Sequence, residues 1–215
     1  HRSGIRFAGR VDLAAAILRH ATLAGARLAT ASLTIGELET LVAAPAAALA
    51  AAGPVYRACH NDPSPGNWLL RSDDAVLVDW EYAAMNDPHW DLACLAAEAG
   101  LEPERDSLLL NLYLGGSPAP DQVARHRLLR VMADLLAGLW FMAQAAHAPL
   151  TPAVPDRAAE RLVRALAFLR DPRIGSALTP LHDCQGADPE DASPPRAAGS
   201  LPRAPTTRDR RDGAT

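Results

Sequence analysis

The stretch that decides the reading is His60-Asn61-Asp62-Pro63-Ser64-Pro65-Gly66-Asn67, followed twelve residues later by Asp79. It lies among short strand-like runs. Val55-Tyr56-Arg57-Ala58-Cys59 before it, Asn67-Trp68-Leu69-Leu70 at its end and Ala75-Val76-Leu77-Val78-Asp79 after the turn Arg71-Ser72-Asp73-Asp74 all read as strands. The last two form a hairpin. Pairing of that hairpin sets Asn67, at the start of one strand, near Asp79, at the end of its partner. Asp62 lies in the loop beside them.

A carboxamide oxygen and two carboxylates at one mouth are hard oxygen donors. That set suits Mg²⁺, which keeps waters and takes phosphate oxygens as its remaining ligands. A carboxylate not used for metal can accept a proton from a hydroxyl. Either Asp62 or Asn67 alone is the kind of residue that turns use for backbone reasons. It is the combined spacing, with its flanking strands, that points to a site.

Around this centre the chain reads as helical. Leu13, Ile17, Ala21, Ala24 and Leu28 have helical spacing, predicting a helix from Val11 to about Ala31. Thr34, with Glu37 three residues on, predicts a capped helix through Leu41, with Pro45 starting a further alanine-rich turn that ends at Gly53-Pro54. Helices are expected near 89–99, 103–114, 121–147 and 155–170. The third carries an apolar face of Val123, Leu128, Leu129, Met132, Leu135, Leu136, Leu139 and Trp140. Residues 183–215 hold five prolines, three glycines, six acidic and five basic residues, with Leu201 as the sole large apolar side chain. Such a segment buries too little surface to offset its ordering entropy, and a disordered tail is expected.

Composition narrows the classes. The chain has 215 residues, 49% hydrophobic and 21% charged, with a net charge of −4. That is the range of a globular domain and gives no sign of nucleic-acid binding. No unbroken apolar run approaches the roughly 18–20 residues of a membrane span, so no membrane partner is expected. Cys59, Cys94 and Cys184 lie far apart, which argues against a zinc ribbon or a disulfide scaffold and suits a cytoplasmic setting. All 21 basic residues are arginine, a usage that suggests a GC-rich genome.

The loop resembles the catalytic loop of the kinase-like phosphotransferases, the group of aminoglycoside phosphotransferases and choline/ethanolamine kinases. His60, Asp62 and Asn67 match its HxDxxxxN pattern, and Asp79 matches its metal-binding strand end. Asp79-Trp80-Glu81-Tyr82-Ala83 is similar to the corresponding stretch of choline/ethanolamine kinases. Asn86-Asp87-Pro88, Asp91-Leu92-Ala93, Glu98 and Gly138-Leu139-Trp140 continue the likeness. It covers roughly residues 1–170 and is strongest over 59–98.

The resemblance implies an α+β, predominantly α-helical fold: a protein-kinase-like C-terminal lobe in which a small β-hairpin carries the catalytic loop. With the tail bounded at 183–215 by its composition, the lobe is expected over 1–182. The resemblance further implies ATP as co-substrate, Mg²⁺ as cofactor and a small-molecule amino alcohol as acceptor. Asp62 would be the catalytic base, His60 a catalytic-loop residue, and Asn67 and Asp79 the metal ligands. Glu81, Glu98 and Trp140 would serve the substrate, and Asp91 would support the loop. An ammonium is recognised by an aromatic face and a carboxylate, which Trp140 and Glu98 would supply.

A kinase of this type also needs a nucleotide lobe with a strand lysine and a phosphate loop. This sequence has no lysine and no glycine-rich loop of that kind, so the nucleotide lobe is expected upstream of residue 1. Three alternatives stay open: an aminoglycoside or thiamine kinase, a non-enzymatic pseudokinase-like fragment, and a metallohydrolase built on His60, Asp62 and His89.

Overall fold

A computed structural model of the chain describes residue 1, residues 3–147 and 153–172, and positions 175, 178, 179 and 181. The expected tail at 183–215 lies outside the described residues. Three helices come first: α1 (Leu13–Ala24), α2 (Arg27–Thr30) and α3 (Ile35–Ala51). The Asp12 carboxylate caps α1 by accepting the Ala15 amide at 3.0 Å. The single helix expected from Val11 to Ala31 is divided, because Gly25 takes φ 54° and ends α1.

Thr34 caps α3 as expected, its hydroxyl accepting the Glu37 amide at 3.2 Å. The break expected at Pro45 does not occur. Pro45 is buried inside α3, and the helix runs through it to Ala51. A proline there removes one backbone hydrogen bond. The alanines on both sides have the highest helix propensity and sustain the helix around it.

Four short strands follow. β1 (Arg57–Cys59) pairs antiparallel with β4 (Ala84–Asn86), in the register Arg57 to Asn86 and Cys59 to Ala84. β2 (Trp68–Leu70) pairs antiparallel with β3 (Ala75–Leu77), in the register Trp68 to Leu77. The second pair is the expected hairpin. The first is an additional pairing, and the chain near Arg10 extends it: Met85 donates to Gly9 O at 2.8 Å and Val11 donates to Met85 O at 3.1 Å.

Among the described residues four helices follow: α4 (Pro88–Glu98), α5 (Pro103–Leu114), α6 (Pro120–His147) and α7 (Ala153–Leu169). α6 is the central rod, packed against α1, α4 and α7. Its predicted apolar face supplies Leu129, Met132, Leu135 and Leu139 to a core shared with Ile17, Ala21, Leu38, Val42, Trp90, Ala93, Leu162 and Leu166. Leu135 and Leu139 are fully buried, and truncation of either to alanine costs about 2–5 kcal/mol.

By length and composition Pro120–Ala145 could cross a bilayer, although Arg125, Arg127, Arg130 and Asp134 interrupt it. Half of its most apolar window is buried in this core. Arg125 anchors its start, donating to Asp87 Oδ2 at 2.6 Å and to the carbonyls of Ala52 and Gly53 at 3.1 and 3.0 Å. That one guanidinium ties α6 to the cap of α4 and the end of α3.

Candidate active site

The loop between β1 and β2 is held from below by α4. Asp87 caps this helix, its carboxylate accepting the His89 amide at 2.9 Å, and Pro88 occupies the first turn, where no amide is needed. One turn in, Asp91 is buried with its carboxylate turned to the loop. Oδ2 accepts the His60 amide and Oδ1 the Asn61 amide, each at 2.8 Å. Burial pushes the Asp91 carboxyl above the usual range, and the two amides pull it back.

Asn61 takes the left-handed φ of 70°, a conformation asparagine tolerates better than most residues. Its Nδ2 donates to Tyr82 O at 2.8 Å, and its Oδ1 accepts from Asn86 Nδ2 at 2.9 Å. Asn86 Oδ1 in turn accepts the Asp87 amide at 2.8 Å. The loop is thereby locked to β4 and to the start of α4.

His60 is buried, and both its ring nitrogens are engaged. Nε2 lies 2.8 Å from Val78 O, and Nδ1 lies 3.2 Å from the Asp62 amide. A carbonyl only accepts and an amide N–H only donates. The neutral tautomer protonated at Nε2 therefore satisfies both contacts. The ring meets Trp80 edge-on with centroids 4.7 Å apart. With both nitrogens so occupied, His60 offers none to a metal or a substrate, and His89 lies elsewhere, against His126 and Tyr113.

The loop ends in a 3₁₀ turn at Pro65–Asn67, closed by the Asn67 amide on Ser64 O at 2.9 Å. The Asn67 carboxamide turns back: Nδ2 donates to Asp62 O at 2.9 Å and to Asp62 Oδ2 at 3.3 Å. Both contacts fix which end of the amide is nitrogen and leave Oδ1 as the atom directed away from Asp62. The Asn67 carbonyl accepts the Val78 amide at 2.9 Å, which extends the hairpin one pair beyond Trp68 and Leu77. Asp79 follows directly, exposed, with φ 65° turning the chain out of the strand.

The surroundings are acidic. Burial first, and then the charge of Glu98, push the Asp62 carboxyl above its ordinary range, against the opposing effects of His60, Asn67 and Ser64. Partial burial raises the Tyr82 hydroxyl, and Glu81, by charge and by hydrogen bond, Asp62 and Asp79 raise it further. Asp62, Asp79 and Glu81 thus share one electrostatic neighbourhood. The donor set present, a freed carboxamide oxygen and exposed carboxylates, fits a hard divalent cation.

Glu98, at the end of α4, is ion-paired with Arg161 of α7. Arg161 also donates from Nε to Asp134 Oδ1 of α6 at 2.9 Å. Burial opposes the Arg161 charge, but Glu98 and Asp134 outweigh it and hold the guanidinium ionised. The sequence reading did not find Arg161. Its one available signal was Asp134, a lone acid on the otherwise apolar face of α6. Trp140 is partly exposed and packs edge-on against Phe141, centroids 4.9 Å apart. Glu81 is exposed beside Tyr82.

A second group, His1, Cys59 and Asp91, gathers three potential metal-ligating atoms within 4.8 Å of one another. It is a hydrogen-bonded cluster. Burial pushes the Cys59 thiol up, and Sγ donates to Asn86 O at 3.3 Å, while Asp91 is taken up by the loop amides and His1.

Comparison with known proteins gives a consistent picture. The profile of the family described as phosphotransferase enzymes matches residues 4–126. Protein LicA of Haemophilus influenzae is 36% identical over 92 residues, 41% of this chain and 34% of that protein. A choline/ethanolamine kinase family protein from Mesorhizobium loti superposes with a TM-score of 0.69 at 31% identity, covering 85% of this chain and 63% of that one. Choline kinase LicA from Streptococcus pneumoniae shares the fold, with a TM-score of 0.64 at 24% identity over 78% of this chain and 59% of that one. The chain thus spans about a third of its curated relative and less than two thirds of these solved structures.

Proposed function

Since the chain belongs to the phosphotransferase enzyme family, we propose that residues 1–182 form the catalytic lobe of a cytoplasmic kinase that phosphorylates a hydroxyl of choline, ethanolamine or a similar amino alcohol. The observation that carries this reading is the Asp62–Asn67 contact next to Asp79, in a loop whose backbone Asp91 holds. Phosphoryl transfer asks little covalent chemistry of the protein. It asks for positioning and for charge stabilisation.

In this reading Asp62 orients the acceptor hydroxyl and takes its proton. Its raised carboxyl is a better proton acceptor than an ordinary aspartate would be. Asn67 and Asp79 hold Mg²⁺, which offsets phosphate charge when bound with ATP. His60 sets the spacing between the loop and Asp79. The ammonium end of the acceptor meets Glu98 and Trp140, with Glu81 at the rim. The remainder of the nucleotide site belongs to an upstream lobe.

Arg161 favours a singly charged acceptor. It already neutralises part of the acidic wall, which leaves less counter-charge for a polycationic aminoglycoside. The test is ATP-dependent phosphorylation by the polypeptide with its upstream lobe, offered choline, ethanolamine, thiamine and an aminoglycoside in parallel. Turnover of choline or ethanolamine supports the reading. Turnover of the aminoglycoside or thiamine alone replaces the substrate class, and no turnover with Mg·ATP on any of them removes the kinase.

A further inference from the structure

His1 reaches the loop from a position 90 residues before Asp91. Its Nε2 lies 2.9 Å from Asp91 Oδ2, the same oxygen that accepts the His60 amide. Its Nδ1 lies 3.0 Å from the Tyr113 hydroxyl of α5, and the two rings meet edge-on, centroids 5.6 Å apart. The contacts use ring nitrogens only.

Asp91 accordingly receives three N–H donors, two from the loop backbone and one from His1. A carboxylate in the first turns of a helix such as α4 has freedom about its side-chain torsions. The amides of His60 and Asn61 take both oxygens at once, and a third donor from outside the loop favours that same rotamer. Tyr113 fixes the third donor by holding the opposite nitrogen of the ring. Among the described residues, the path Tyr113, His1, Asp91, His60 ends two residues before the Asp62 carboxylate.

We propose that His1 is a positioning residue for phosphoryl transfer, acting through Asp91 on the backbone of the His60–Asp62 loop. The proposal rests on the kinase reading above for its catalytic consequence and on the geometry alone for its effect on the loop.

The test compares His1→Ala, His1→Gln and Tyr113→Phe in the complete kinase polypeptide. Glutamine keeps an N–H where Nε2 stood. His1→Ala is expected to lower kcat by about 10–100-fold, the usual effect of removing an outer-shell partner, with both KM values little changed. His1→Gln restores most of the loss, and Tyr113→Phe gives a smaller fall than His1→Ala. Amide hydrogen exchange read on the same variants shows faster exchange at His60 and Asn61 in His1→Ala and wild-type exchange in His1→Gln. If His1→Ala does not fold, the Gln and Phe variants carry the comparison. Equal kcat in wild type and His1→Ala, or a glutamine variant no better than alanine, overturns the proposal. A wild-type protein without phosphotransfer sinks the kinase reading, and exchange at residues 60 and 61 then decides by itself whether His1 holds the loop.

Discussion

His60 donates from Nε2 to the carbonyl oxygen of Val78 at 2.8 Å, so one buried ring sets the distance between the Asp62 loop and the strand end that carries Asp79. The proposed proton acceptor and the proposed metal ligand lie on two segments that are also joined by the Val78 amide on Asn67 O and by Asn61 Nδ2 on Tyr82 O, so the His60 contact acts together with these bonds. Replacing His60 with alanine removes the link and leaves the Val78 carbonyl and the Asp62 amide without it. Activity should fall by about 10–100-fold, the range for groups that orient a site from behind it. Glutamine, which can donate to Val78, should recover part of it. The Mg²⁺ concentration for half-maximal rate should rise in the alanine variant, and an unchanged value there would separate His60 from the metal site.

The Asp62 carboxyl also affects stability. Its pKa is raised in the folded protein, by burial first and Glu98 second. A raised acid favours the folded state when protonated and opposes it when ionised, so the ionised form is a cost at neutral pH that disappears on acidification. Asp62→Asn should therefore melt above wild type at pH 7. The difference should narrow as the pH falls toward the ordinary range of aspartate. A variant that melts below wild type at pH 7 would contradict this.

Acid should instead weaken the α4–α6 junction. His89 is buried against His126 and Tyr113, and burial pulls its pKa down to about 4 from the ordinary value near 6.5. Between those values the unfolded chain binds a proton that the folded chain refuses. Stability present above about pH 6.5 should decline by on the order of 3 kcal/mol by pH 4. Denaturant melts of wild type and His89→Gln across that window check it: parallel losses would exclude His89 as the cause.

Arg161 joins Glu98 and Asp134 in a largely buried set of charges. Arg161→Ala removes one partner from each carboxylate, Asp134 keeping Arg164, and should cost up to about 3–5 kcal/mol of stability. Glu98→Gln should be milder in stability and should raise the KM for a cationic acceptor. Trp140→Ala should raise the same KM by roughly 2- to 30-fold, a loss of about 0.5–2 kcal/mol of cation–π contact. An early-melting Trp140→Ala with wild-type KM would place that residue in the packing and outside the site.

The candidate site was legible in sequence to the extent that its residues are close in the chain. The spacing of His60, Asp62, Asn67 and Asp79 within one loop and hairpin is encoded by turn residues and two apolar runs, and the β2–β3 pairing follows from it. The β1–β4 pairing was not legible, because Ala84–Asn86 is three residues long and carries no alternation. Partnerships across long separations were hidden for a different reason. Arg161 and Glu98 are 63 residues apart, and His1 and Asp91 are 90 apart. Nothing local marks either pair, since an arginine or histidine on a helix or in a terminal segment reads as solvated until the packing of α4, α6 and α7 brings its partner to it. Helix ends are hard to place from sequence where a single residue decides them. Gly25 ends α1 through its left-handed backbone, and Pro45 fails to end α3 because its alanine neighbours sustain the helix.

The most direct measurement is single-turnover phosphotransfer by the polypeptide carrying the proposed upstream nucleotide lobe, wild type against Asp62→Asn, with ATP and the best acceptor. The account predicts a fall of roughly 10²–10⁴-fold in the rate of transfer, with Mg·ATP binding unchanged because Asn67 and Asp79 remain. Transfer by Asp62→Asn at the wild-type rate would contradict it.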